Sequence, residues 1–328
     1  MCKVRQNSLI LVTGGAGFIG SHLVEELINH GHHVRVLDNF STGSHTNLRS
    51  IDKKRSSLEI VRGDIRDSTT VNAAVQGVSC IFHQAAFTDV AASCLNPRLS
   101  FENNAQGTFN LFEAARIHSL KHVILASSAA VYGNGQKGHA VREGTKPMPL
   151  SPYGLDKSYA EQIAALYAKN YGMKATSLRY FNVYGARQNP NSPYAGVISV
   201  FIQCLKNGHP LTIYGDGTQV RDFISVKDVV QANLRAMERS GEGYQTFNVA
   251  TGKETSINQL ITILREHARE TKSTLLYKEA RPSDILYSLG DTRLASDRLG
   301  FSAVNQLRSG LESLWEAGDS QVNKNGPN

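Results

Sequence analysis

Short apolar runs alternate with amphipathic stretches through the first half of the chain. LILVTG (9–14), HVRVLDN (33–39), LEIVRGD (58–64), CIFHQAA (80–86), HVILASS (122–128) and ATSLRYFNV (175–183) are brief, rich in β-branched and apolar residues, and bounded by turn formers. Between them lie stretches with helical spacing, such as GSHLVEELINHG and GTFNLFEAARIHS. Near-continuous apolar strands separated by helices predict a parallel sheet buried on both faces. Right-handed crossovers then place helices on either side, giving a doubly wound α/β layer.

Beyond about residue 180 the alternation breaks. Pro, Gly and Asn cluster in NVYGARQNPNSPYAG, followed by helix-like VISVFIQCLKNG, a short LTIYGDG, helix-like VKDVVQANLRAME and strand-like TFNVA. The expected division is a nucleotide-binding domain over 1–180 and a smaller α/β substrate domain over 181–328, some of whose segments return to the first sheet. SINQLITILREHARE reads as a packing helix, and the polar tail GDSQVNKNGPN as frayed.

Composition narrows the class. The 328 residues are 41% hydrophobic and 19% charged, as in globular domains. No apolar run is long enough to span a bilayer, and the N-terminus lacks the pattern of a signal peptide. Cys2, Cys80, Cys94 and Cys204 are scattered, with no CxxC and no histidine at zinc spacing. They read as reduced thiols of a cytoplasmic protein, with no metal expected. The formal charge of +7 is spread rather than blocked, so nucleic acid and membrane are not expected partners. Small anionic ligands fit the charge.

LVTGGAGFIGSHL places glycines at 14, 15, 17 and 20 between a strand and a helix, the context a phosphate-binding turn requires. Gly14 can make the tight turn, Gly17 can let the backbone approach a pyrophosphate, and Gly20 can let helix and strand pack closely. The helix N-terminus adds N–H donors and partial positive charge. Asp38 ends the next strand, 18 residues after Gly20, where a carboxylate accepts from ribose hydroxyls and repels a 2′-phosphate. The first domain is therefore read as Rossmann-type, and NAD is the expected cofactor rather than NADP. Asp64, ending the third strand before Ile65, is placed to meet the adenine.

Tyr153 and Lys157 stand four apart at the start of a helix-like stretch, on one face. An ammonium beside a phenol lowers its pKa, which suits a general base; an ordinary pair on a solvated face has the same spacing. His83 reads as a hydrogen-bonded structural histidine rather than a ligand. Asn103 and Asn104 fit a helix N-cap as well as a site.

Taken with ASSAAVYG (126–133) and YGLDK (153–157), the glycine turn resembles that of the extended short-chain dehydrogenases/reductases. The resemblance covers residues from about 8 to about 315. It is nearest to the NAD-dependent UDP-sugar 4-epimerases, through RYFNVYGARQNPNSPYAGVIS, IYGDGTQVRDFISVKDV and ARPSDILYSLGD. The resemblance implies Tyr153 as base, Lys157 as its partner and nicotinamide-ribose ligand, and Ser128 as the hydroxyl bridging Tyr153 and the sugar. It implies cofactor contacts from Gly14, Gly17, Phe18, Ile19, Gly20, Asp38, Asn39, Asp64, Ile65, Ala85, Asn104 and Tyr180. Asn182, Thr212, Tyr214, Arg221, Arg281, Asp284 and Ser288 are implied as UDP-sugar ligands, with the two arginines on the diphosphate. Ala186 stands where many epimerases carry proline, which leaves that loop less rigid. Thr88 stands where some relatives carry a lysine.

The implied chemistry is transient oxidation. A base removes the 4-OH proton as hydride leaves C4, the 4-keto sugar turns in the pocket, and hydride returns to its other face. Lys157 and a cationic nicotinamide would lower the Tyr153 pKa from its ordinary value of about 10 towards working pH. The dehydratases of this superfamily carry an Asp-Glu pair, and the glucuronate decarboxylases a Glu, where this chain has Ser128-Ala129-Ala130. Plain epimerisation is therefore expected, with a UDP-glucuronate 4-epimerase or another nucleotide-sugar epimerase or reductase as the alternative, and a non-catalytic NAD sensor of a different class. Ser288 occupies the position that resembles the family's gate beside the sugar's C2 substituent, where a serine would leave room for an N-acetyl group. Family members dimerise through helices that here include GTFNLFEAARIHS and SYAEQIAALYAKNYG, so a homodimer is expected.

Overall fold

The computed structural model describes residues 7–49, 51, 56–189, 196–268, 273–281 and 284–322, with backbone alone for 317–322. Cys2, residues 190–195 of NVYGARQNPNSPYAG, residues 282–283 of ARPSDILYSLGD and residues 323–328 of the polar tail lie outside the described residues. The strands are β1 Leu9–Thr13, β2 His33–Asp38, β3 Leu58–Arg62, β4 Cys80–His83, β5 His122–Ser128, β6 Lys174–Tyr180, β7 Asn182–Tyr184, β8 Leu211–Tyr214, β9 Val220–Arg221, β10 Phe223–Ser225, β11 Tyr244–Val249, β12 Thr255–Ser256 and β13 Leu275–Lys278. The helices are α1 Phe18–Asn29, α2 Ser68–Val75, α3 Val90–Leu95, α4 Pro97–Phe101, α5 Gly107–Ile117, α6 Pro152–Tyr171, α7 Val197–Lys206, α8 Val226–Arg239, α9 Ile257–His267, α10 Arg293–Leu299 and α11 Leu307–Val322.

A seven-stranded sheet runs in the order β11-β6-β5-β4-β1-β2-β3, every pairing parallel. Strand order reverses beside β1, leaving a crevice at the carboxyl ends of β1 and β4. Side chains alternate across the sheet. Ile10, Val12, Val34, Val36, Phe82 and Ile124 face α1, α8 and α10, whereas Leu11, Leu37, Ile81, Val123 and Leu125 face α2, α5 and α6. Edge strand β3 departs from two-sided burial: Ile60 is 39% exposed, because only one neighbour covers it. The seventh strand, β11, comes from the second half of the chain and pairs with β6 from Ala175–Tyr244 to Tyr180–Val249.

A separate apolar cluster joins α7, β8 and α9 to Leu311 of α11, through Phe201, Leu205, Leu211, Ile213, Leu260 and Leu264. The tail departs from expectation here. Helix α11 continues to Val322, so residues 318–322 are helical rather than frayed. Asp222, fully buried between β9 and β10, ties this lobe to the main sheet. Its carboxylate accepts from Thr251 N (2.8 Å), Thr251 Oγ1 (2.6 Å) and Gly252 N (2.9 Å), just past β11.

Candidate active site

The glycine turn folds as its residues dictate. Gly14 has φ +68°, and a Cβ there would lie 2.7 Å from Ala85 N. A Cβ at Gly20 would collide with the Gly14 carbonyl oxygen. Only glycine permits this turn to hug β4 and α1 to start so close behind β1. Gly17 is the α1 N-cap and brings no side chain to accept the first N–H groups. Those donors face the crevice, since Gly14, Gly17, Phe18, Ile19 and Gly20 all line it. The cleft encloses about 1170 Å³. At its far wall Asp38 accepts from Ala16 N (2.9 Å) and Phe40 N (2.8 Å), fixing its carboxylate at the end of β2. Burial pushes the Asp38 pKa up, against those two backbone hydrogen bonds. An open, glycine-floored helix N-terminus with a fixed carboxylate beyond it fits a dinucleotide: pyrophosphate on the turn, ribose on Asp38.

At the other end, Ser128, Tyr153, Lys157, Tyr180, Phe181 and Asn182 line the same cleft. Ser151 caps α6 by accepting from Gly154 N, so the helix starts where Tyr153 points inward. Ser128 Oγ accepts from Ala130 N (3.1 Å), and Ser128 stands on the cleft wall with Tyr153, where its hydroxyl favours the phenolate. Lys157 Nζ donates to Ala126 O (2.7 Å) and lies 5.9 Å from the Tyr153 ring centroid. The electrostatics differ from the sequence expectation. Burial drives the Tyr153 pKa up rather than down, with the Ser128 hydrogen bond opposing it, and burial lowers Lys157 to about 8. The ammonium is engaged by a backbone carbonyl, and burial penalises both it and the phenolate.

Asn39, Ile65 and Ala85 also line the cleft, but two residues expected on the cofactor are engaged elsewhere. Asp64 binds Arg66 (2.8 Å) and accepts from Asn39 Nδ2 (2.9 Å); Arg66 holds its carboxyl down at about 2. Asn104 is buried within a π-helical segment, Glu102–Gln106, that runs on into α5, so it caps no helix. Its amide is folded back on Phe87, accepting from N (2.8 Å) and donating to O (3.0 Å). Neighbouring Asn103 lines the cleft instead. His83 behaves as a structural histidine, with ring nitrogens 2.7 Å from Thr13 Oγ1 and 3.0 Å from Thr108 Oγ1.

The residues expected on the UDP-sugar form a second group outside the main cleft lining, apart from Ser128 and Asn182. Alternation along β8 buries Leu211 and Ile213 and turns Thr212 and Tyr214 to the opposite side. The Arg281 guanidinium stacks 3.9 Å over the Tyr214 ring. Arg221 Nη2 donates to Asp284 (2.8 Å), and Ser288 N to Val220 O (3.1 Å). Strand β10, next after Arg221, pairs Phe223 with Asn182, so the group adjoins the cleft through β7.

Sequence reasoning missed the Ser41–Thr46 side of the cleft, although a Ser/Thr/Gly-rich run directly after Asp38 is a signal for it. It also missed Arg187. This residue lines the cleft at φ +65°, pairs with Glu25, and among the described residues leaves a buried Nη1 without a partner. The Ala186 loop is held on both sides, since His22 Nε2 lies 2.9 Å from Ala186 O, so the missing proline does not leave it untethered. Thr88 lines the cleft.

Residues 10–250 match the family model described as the NAD dependent epimerase/dehydratase family. A UDP-glucose 4-epimerase of Mycolicibacterium smegmatis is 38% identical over 308 residues, covering 93% of this chain and 97% of that protein. The crystal structure of a UDP-glucose 4-epimerase from Thermotoga maritima with UDP-glucose superposes with a TM-score of 0.90 at 36% identity, covering 96% of this chain and 99% of that one. A UDP-N-acetylglucosamine 4-epimerase from Methanobrevibacter ruminantium, in complex with UDP-N-acetylmuramic acid, gives 0.89 at 35%, covering 97% and 100%.

Proposed function

Because the chain belongs to the NAD dependent epimerase/dehydratase family, we propose that it inverts C4 of a UDP-hexose, UDP-glucose/UDP-galactose or their N-acetylated counterparts. The observation that carries this reading is the Ser128–Tyr153 hydroxyl pair, with Lys157 behind it, on the wall of a cleft floored by the glycine turn. NAD, held by the glycine turn and Asp38, would supply a hydride acceptor for C4 and a positive charge that favours Tyr153 phenolate. Tyr153 removes the 4-OH proton and later restores it. Ser128 holds the sugar hydroxyl in line. Arg221 and Arg281 present forked donors to the diphosphate, anchoring the nucleotide while the sugar turns.

Ser288, whose N–H donates to the carbonyl of Val220 next to Arg221, supports acceptance of an N-acetyl group. Replacing it with tyrosine is expected to lower kcat/KM for UDP-GlcNAc at least tenfold and leave UDP-glucose within about twofold, by steric exclusion. Equal loss on both sugars contradicts the assignment. A uronic sugar is the second reading, because Arg187 lines the cleft with one guanidinium nitrogen on Glu25 and a buried Nη1 left without a partner among the described residues. Product analysis with UDP-glucose, UDP-GlcNAc and UDP-GlcA offered separately decides among the three.

We also place the protein in the cytoplasm as a homodimer. Phe109 and Ile117 of α5, with Leu155, Tyr159 and Leu166 of α6, leave one helix pair with large exposed apolar side chains. Leu166→Glu is expected to give monomer by light scattering. An unchanged dimer would place the interface elsewhere.

A further inference from the structure

Three consecutive residues of β5 stand opposite three residues on one face of α6. Ala126 O accepts from Lys157 Nζ (2.7 Å), Ser127 Oγ donates to Glu161 Oε1 (2.5 Å), and Ser128 lines the cleft with Tyr153. Positions 153, 157 and 161 are spaced by four, so they stack along that face. Arg179, the register partner of Ser127 on β6, closes the arrangement with a fork onto Glu161: Nε to Oε1 at 2.8 Å and Nη2 to Oε2 at 2.6 Å. Its remaining nitrogen donates to Tyr132 Oη (2.8 Å) and Glu143 O (3.0 Å). The two charged side chains are only 5% and 7% exposed. A buried ion pair adds little stability over apolar packing of the same volume, so stability alone does not account for one built directly behind the reacting groups.

We propose that Ser127, Glu161 and Arg179 are positioning residues of the reaction: they lock the face of α6 bearing Tyr153 and Lys157 to the end of β5, and Glu161 holds Lys157 in its cationic form. The inference rests on the epimerase reading for what Tyr153 and Lys157 do. The groups facing Lys157 are Tyr153, Asp156 and Glu161 on α6 and His83 on β4. Burial lowers the Lys157 pKa to about 8, and Asp156 and then Glu161 oppose it. Asp156 is itself held by Ser100 Oγ (2.6 Å), and His83 stays neutral down to about pH 3. Burial therefore works against the Lys157 ammonium, and losing one of the opposing carboxylates leaves that penalty less offset.

The test uses the holoenzyme with 13Cε-lysine labelling, the Lys157 resonance being the one lost in Lys157→Met. In Glu161→Gln the Lys157 midpoint is expected to fall by about one pH unit, as for loss of a nearby opposite charge. The alkaline limb of kcat should move down with it while KM stays within about twofold. An unchanged midpoint overturns the electrostatic half of the proposal. Because Glu161→Gln strands the Arg179 charge and could prevent folding, Ser127→Ala, which keeps both charges, is the companion. It should lower kcat about tenfold at unchanged KM, and Ser127→Thr should restore it. Wild-type kcat in Ser127→Ala overturns the positioning half. Wild-type protein that epimerises no UDP-sugar sinks the functional reading instead, and the NMR midpoint still tests Glu161.

Discussion

Tyr153 gives up its proton less readily here than a free tyrosine does, because burial penalises the phenolate more than the Ser128 hydrogen bond favours it. At this scale the sequence was partly legible. Asp38, Ser128, Tyr153 and Lys157 could be placed because strand ends and an i,i+4 pair fix where their side chains point. The partners of Asp64 and Asn104 were not legible, since whether a polar side chain faces a cleft or folds back depends on which of several groups within reach it takes: neighbouring Arg66 and more distant Asn39 for one, Phe87 for the other. The direction of the Tyr153 shift was hidden for the same reason, because sequence spacing shows Lys157 but not the Ala126 carbonyl that engages it.

The glycine turn and the helix behind it act as one element. Gly20 lies where a side chain has no space, so Gly20→Ala must push α1 away from Gly14 and tilt its N–H groups off the pyrophosphate position. Calorimetric titration with NAD is expected to show affinity at least tenfold weaker in that variant, with the far-ultraviolet spectrum retained; wild-type affinity would contradict this account of the turn. The six strands that alternate with helices were legible from their apolar runs, apart from the split of the last into β6 and β7. That split falls at Phe181, whose backbone N–H turns to Val249 O while Asn182 N turns to Asp222 O. A change of strand partner leaves no mark on local hydrophobicity.

Two apolar layers and a smaller satellite core meet through Asp222 and β11, so the whole molecule shares its stability across residues distant in sequence. Two buried histidines make that stability pH-dependent. Burial lowers both His83 and His122 to about 3 in the folded protein, against 6.5 in an unfolded chain. Between those values the unfolded state binds more protons, so stability falls as pH drops from about 6.5 towards 3. The urea midpoint is expected to be lower at pH 4.5 than at pH 7, and His122→Leu should flatten that decline; an equally steep decline in the variant contradicts the assignment of the ring. The return of β11 to the sheet is a property of the whole chain, anticipated only as a generality because a short run such as TFNVA carries no record of its partner.

The central claim is that Tyr153 carries the proton of the reacting hydroxyl beside a bound NAD. Its most direct test is Tyr153→Phe, with NMR of the UDP-sugar pool and bound NAD measured on the same sample. NAD should remain bound while epimerisation falls by at least about a thousandfold, in the range for loss of a general base. Turnover near the wild-type rate with the cofactor in place would contradict the account.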